Sequence, residues 1–157
     1  MGTTIEGLDA LVGRFEALPG KLTVALGAEA ARLGDALRAA VERNLSGGVL
    51  EQRTGRLAGS IDVSVEQSGA AVSATVGTHV PYAAIHEYGG VIPAHEILPR
   101  SARALAFPWQ GRERFFKRVE VPAVQMPERS FLRAALAEMA PEIRAAMAAA
   151  ASRAVTA

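Results

Sequence analysis

Three histidines and their acidic neighbours are the first residues to examine for chemistry. His86-Glu87 opens like the zinc-protease motif, in which two histidines one helical turn apart hold the metal and the glutamate acts as base, but position 90 is glycine. His79, His86 and His95, with Glu87 and Glu96, gather a metal only if separate loop and helix positions converge. The simpler reading is that His86 and Glu87 end a short helix, the histidine meeting the last carbonyls and the carboxylate pairing with an arginine. No Gly-x-x-x-x-Gly-Lys-Ser/Thr phosphate loop, Gly-x-Gly-x-x-Gly turn or Gly-x-Ser-x-Gly elbow is present. Ser60, in Gly59-Ser60-Ile61, reads as a hydroxyl capping a turn rather than a nucleophile. With no cysteine, thiol catalysis, disulfides and iron–sulfur clusters are excluded. The expectation is a non-enzyme with no catalytic residue, no bound metal and no cofactor.

Charge is uneven along the chain. Net charge is +1, yet Arg100 to Arg133 holds eight basic residues against three acids, so this segment carries +5 and the remainder −4. Within it Arg112, Arg114, Lys117 and Arg118 interleave with Phe115 and Phe116. Basic groups beside aromatics can touch phosphates and stack on bases. The competing reading is a strand edge whose charges deter aggregation and whose phenylalanines enter a core or a subunit interface. The expectation is that these four face a partner protein or DNA, with no sequence-specific readout.

The elements that must position these groups follow from hydrophobic period. Leu8, Leu11, Val12, Phe15 and Leu18 recur at three and four, Pro19-Gly20 punctuates, and Leu22, Leu26, Ala30, Leu33, Leu37, Val41 and Leu45 resume, predicting helix over 5–45 with a break near Pro19. Gly27 and Gly34 in this stretch are expected to mark close helix contacts. Ile61, Val63 and Val65, then Val72, Ala74 and Val76, alternate with polar residues about Gly69, a half-buried antiparallel hairpin. Pro81 to Tyr88 reads as a two-turn helix stopped by Gly89-Gly90, with Tyr82, Ile85 and Tyr88 on the face that locks it to the sheet and Ala83 allowing close approach. From Val91 to Gln125 four prolines break any long period, predicting a long loop or arm in which Ala104–Trp109 and Phe115–Val121 flank a turn at Gln110-Gly111. Phe131, Leu132, Ala135, Leu136, Met139, Ile143 and Met147 form a last helical stripe, and the alanine-rich end is expected to fray or pack on a neighbouring subunit. The fold class is α+β: a small antiparallel sheet with a long N-terminal helix and a C-terminal helix on one face, plus an extended arm.

At 157 residues the chain is the size of one domain. Its 50% apolar content includes 32 alanines, leaving about 29% bulky hydrophobics, an ordinary globular value. No window approaches the roughly 18 apolar residues of a membrane span, so no membrane is expected.

Four separated pieces together resemble the neck or tail-completion (head–tail joining) proteins of long-tailed bacteriophages and prophages. Thr54-Gly55-Arg56-Leu57-Ala58-Gly59-Ser60-Ile61 is similar to that family's Gly-x-Leu-x-x-Ser-Ile approach to its hairpin. Val76 to Gly90, with Tyr82-Ala83-Ala84-Ile85-His86-Glu87-Tyr88-Gly89-Gly90, resembles its most characteristic stretch. Ala102 to Phe107 is similar to the strand before its variable loop. Val119-Glu120-Val121-Pro122 leading to Arg129-Ser130-Phe131-Leu132 resembles a valine-x-x-proline followed by Arg-Pro-Phe-Leu. Ser130 and Ala134 stand where prolines are usual, and Gln125 to Glu128 lengthens the link before Arg129. The virion morphogenesis group of Mu-like phages shares the Tyr-Ala-x-x-His and Gly-Gly pieces.

The resemblance implies one neck or tail-completion domain over 1–157: a helical region 1–48, a family-like core 54–137, the arm 91–125 and the alanine-rich tail 145–157. It implies a ring at the head–tail junction of the virion, assembled in the host cytoplasm. A hexamer is the first expectation for that ring and a dodecamer the second. Its partners would be head-side connector or stopper proteins, tail-tube or tail-terminator proteins, and the DNA passing through the channel. The alternatives are a tail terminator capping the tube and a prophage-encoded DNA-binding accessory module. Gly55, Leu57, Ser60, Ile61, Tyr82, Ala83, His86, Glu87, Tyr88, Gly89, Gly90, Arg129, Phe131 and Leu132 are the motif residues, expected to act as fold determinants.

Overall fold

The computed structural model of the chain describes residues 7–48, 54–100 and 102–156. The expected helix start at Ile5 lies outside them. The order is α1 (Leu8–Arg43), β1 (Ile61–Ser68), β2 (Ala71–Thr78), α2 (Ala83–Tyr88), β3 (Gly90–Ile92), β4 (His95–Ile97), β5 (Leu105–Trp109), β6 (Arg112–Phe116), β7 (Val119–Val121), β8 (Val124–Met126) and α3 (Leu132–Thr156). The chain divides into two compact units, Met1–Ala83 with Ser130–Ala157, and Ala84–Arg129.

In the first unit α1 runs unbroken through Pro19, against the break expected there. A proline inside a helix removes one backbone hydrogen bond and costs about 3 kcal/mol, so tertiary packing has to outweigh it. The Thr23 hydroxyl donates to the Pro19 carbonyl at 2.8 Å, and Leu18 and Lys21 share a cleft with Ala154 and Val155 from the far end of α3. The alanine-rich tail neither frays nor waits for another subunit. It completes α3 as far as Thr156, and Ala150 and Ala154 are buried. Side chains this small let two helices approach closely, so α1 and α3 line up over their length. Glu29 ties them, holding Arg32 at 2.7 Å on its own helix and lying 3.9 Å from Arg153 on α3.

Strands β1 and β2 pair antiparallel from Ile61 opposite Thr78 to Ser68 opposite Ala71, closed by a two-residue turn whose Gly69 sits at φ +59. One face of this hairpin is polar. The other carries Val63, Val65, Val72, Ala74 and Val76 toward the helices, as the alternation requires. Gly34 does mark a close contact, but with a strand rather than a helix: a Cβ there would stand 2.8 Å from Val63 Cγ1. At Gly27 the space is open. The core joins Ala40, Val41 and Leu45 of α1 and its terminal turn with Ile61, Ala83, Phe131 and Ala135. The Asn44 amide donates to the Phe131 carbonyl at 3.1 Å, fastening the α1 end to the start of α3. This is the expected α+β arrangement of two long helices and small antiparallel sheets.

The second unit turns the expected arm into one interrupted hairpin. Strand β3 pairs with β8, β4 with β7 and β5 with β6, all antiparallel and nested. Pro93-Ala94 and Pro122-Ala123 interrupt the two sides at matching positions, because proline has no N–H to continue a ladder. Turn Gln110-Gly111 lies where expected, with φ of +51 and +76 as a two-residue hairpin requires. The strand after it is Arg112–Phe116, with a separate strand at Val119–Val121, so the single strand expected over Phe115–Val121 is two, parted at Lys117-Arg118.

Candidate functional site

Several motif residues are placed by packing and backbone geometry. Gly55 takes φ +72, and its carbonyl accepts the Gly59 N–H at 2.8 Å in the turn that leads to β1. Buried Ser60 donates to the Leu57 carbonyl at 2.8 Å and lies 2.7 Å from the Thr78 hydroxyl, which accepts the Val80 N–H at 3.2 Å. One relay satisfies every group: Val80 N–H to Thr78, Thr78 to Ser60, Ser60 to Leu57. Ser60 is thus the capping hydroxyl expected, tying both strand ends together. Leu57 and Leu132 pack against the core that contains Ile61, Ala83 and Phe131, and Phe131 is 0% exposed.

The short helix shows a different buried face from the one expected. Tyr82 and Tyr88 are exposed, Tyr88 at 65%, whereas Val80, Ala83 and Glu87 are buried. Spacings of three and four put the buried set on one side of α2 and the tyrosines on another. Glu87 is 3% exposed and is held by interactions within the fold. A carboxylate buried that deeply requires compensation, which explains its place in the motif better than a catalytic role does. Gly89, at φ +67, leaves no room for a side chain, since a Cβ would lie 2.8 Å from the Glu128 nitrogen and 3.0 Å from the Met126 oxygen. Gly90, at φ +142, then opens β3 opposite Met126, and the Arg129 N–H donates to the His86 carbonyl at 2.8 Å. The Gly-Gly and Arg129 pieces, forty residues apart in sequence, together form the base of the arm.

The histidines stay separate. His79 stands 3.6 Å from Asp62, His95 Nδ1 lies 3.0 Å from the Pro93 carbonyl, and His86 is on α2. Among the described residues no three His, Asp or Glu side chains are grouped to hold a metal, and no helix is long and apolar enough to cross a membrane.

The basic residues divide. Arg118 lies 3.5 Å from Glu96 and 3.2 Å from Glu120, inside the arm. Arg112, Arg114 and Lys117 are exposed toward its tip. The β5–β6 register places Arg112 opposite Trp109, Arg114 opposite Phe107 and Phe116 opposite Leu105, so these six share one face, with Phe107 and Phe116 stacked at 5.0 Å. Trp109 is 54% exposed on that face and Phe115 69% exposed on the reverse. Sequence reading overlooked Trp109, although alternation from Leu105 and Phe107 points to it. Among the described residues from Gly90 to Arg129 none is buried, and Val91, Leu98, Trp109 and Phe115 are large apolar side chains left in the open.

No curated protein and no solved structure matches the chain significantly. A family comparison does match, over residues 20–153, covering most of both long helices, the hairpin and the arm. The turn before β1, the α2 glycines and the Arg129–Leu132 piece all fall within that span, and together with it they place the chain in the phage virion morphogenesis family.

Proposed function

We propose that this phage assembly protein works at the head–tail junction as a non-enzymatic neck or tail-completion subunit, assembling into a ring whose two sides meet the head connector and the tail. The observation that carries the reading is the arm. A two-stranded hairpin is marginal in water, and this one extends from Gly90 to Met126 with no buried described residue and with exposed apolar side chains along it. Such a segment gains its stabilisation from whatever covers it, which is how an interface works rather than an active site. The first half of α1 supports the same reading, because Leu8, Leu11, Val12 and Phe15 recur at helical spacing and all stand exposed. A ring also multiplies weak subunit contacts, so no single surface has to be large.

The reading is tested by adding purified protein to an extract from a phage lacking the gene. Restored joining of preformed heads and tails, in proportion to protein added, is the expected result. Heads and tails that stay apart, or that are already joined without the protein, contradict it.

A further inference from the structure

Helix α1 changes character along its length. From Thr23 onward it has buried side chains, and Glu29 with Arg32 and Arg38 with Glu42 form ion pairs within the helix. Before Thr23 neither holds. Leu8, Leu11, Val12 and Phe15 are between 47% and 65% exposed, and Leu11, Phe15 and Leu18 border, with Val155 of α3, an open cleft of about 220 Å³. Asp9, Arg14, Glu16 and Lys21 are exposed, and among the described residues none of these four is in an ion pair. The sequence denies them partners on their own helix, because no opposite charge stands three or four residues from any of them.

The charges are nevertheless ordered. Successive residues turn by about 100° around a helix, so Leu8, Leu11, Val12, Leu18 and Leu22 all lie within about 60° of Phe15. On the same wheel Asp9 and Glu16 stand about 100–120° to one side of Phe15, and Arg14 and Lys21 as far to the other. An apolar stripe thus runs between an acidic flank and a basic one, and each flank repeats after seven residues, the spacing at which flanking charges set the partner and direction of paired helices. Such a stripe complements a second copy of itself in one direction only. With two copies parallel, the acidic flank of each faces the basic flank of the other, Asp9 toward Arg14 and Glu16 toward Lys21. With two copies antiparallel, acid meets acid and base meets base. We infer that the Leu8–Leu22 segments of neighbouring copies pack side by side and parallel, covering the exposed stripe and pairing these four charges between chains. The inference rests on the ring reading above and adds to it one contact and a direction: α1 runs along the ring axis, since only a rotation axis that follows the helices keeps them parallel.

The sequence supplies a probe, because Lys21 and Lys117 are the only lysines. Carbodiimide, which joins a carboxylate to an amine, applied to the assembled wild-type protein made from mixed heavy- and light-nitrogen chains should give a Lys21–Glu16 amide of mixed isotope. Within one chain those two groups point to opposite sides of the helix, so the product reports contact between copies. Lys21→Glu should melt at the wild-type temperature yet associate at least about tenfold more weakly, and adding Glu16→Lys to it should restore association. An oligomer that forms without this amide and is unmoved by Lys21→Glu overturns the contact and leaves the ring reading standing. Glu16→Cys chains that oxidise to a dimer with themselves put acidic flank against acidic flank, and that antiparallel pairing also overturns it. A wild-type chain that stays monomeric at every concentration overturns both.

Discussion

Phe131 is a motif residue whose place in the fold is explained by packing. It is wholly buried, so Phe131→Ala should cost about 3–5 kcal/mol in urea unfolding. Tyr82→Ala removes a side chain that is 39% exposed and should cost about 1 kcal/mol. The sequence singles out Tyr82 to Gly90, but not which side of the helix is covered. A six-residue helix gives too few turns for period alone to tell Tyr82, Ile85 and Tyr88 from Val80, Ala83 and Glu87, and a buried glutamate runs against every hydrophobicity rule. The two helix glycines give a sharper test. Gly27→Ala meets open space and should stabilise the protein by up to about 1 kcal/mol through helix propensity. Gly34→Ala drives a methyl to 2.8 Å from the stiff Val63 side chain and should give no gain or a net loss under the same denaturation assay.

Among the elements, those with a clean period were legible and those decided by tertiary packing were not. The hairpin was read correctly because one face is buried and the other polar. The continuity of α1 through Pro19 and the burial of the alanine tail both depend on the contact between α1 and α3, which local sequence does not encode. Removing residues 150–157 should therefore lower stability by about 1–2 kcal/mol, on the basis of two buried alanine methyls at roughly 0.8 kcal/mol each. The arm was recognised as an arm but not as three nested ladders, because its prolines interrupt both sides and erase the two-residue alternation. Its tip turn holds Gln110 at φ +51, a conformation asparagine adopts more readily, so Gln110→Asn should slow amide hydrogen exchange along β5 and β6. No change there leaves that turn without the strain assigned to it.

For the whole molecule, a net charge of +1 gives no overall field that would draw in nucleic acid. Any affinity for DNA should be weak, independent of sequence and steeply reduced by salt, since it would come from displaced counterions. Filter binding across a salt series checks this, and tight sequence-selective binding at physiological salt would point to a regulator instead. Arg114→Glu should leave a folded subunit, judged by an unchanged melting temperature, that fails to complement a deletion. The family and the fold were accessible from sequence because its quoted motifs lie at the core and at the arm base, whereas the close fit of Gly34 against Val63 exists only once α1 and the hairpin are brought together. The most direct test of the central claim is electron microscopy of a lysate from an otherwise intact phage lacking this gene. DNA-filled heads beside separate tails, or tails with defective ends, are the expected result, while replication and head filling proceed. Fully joined, infectious particles in that lysate would contradict it.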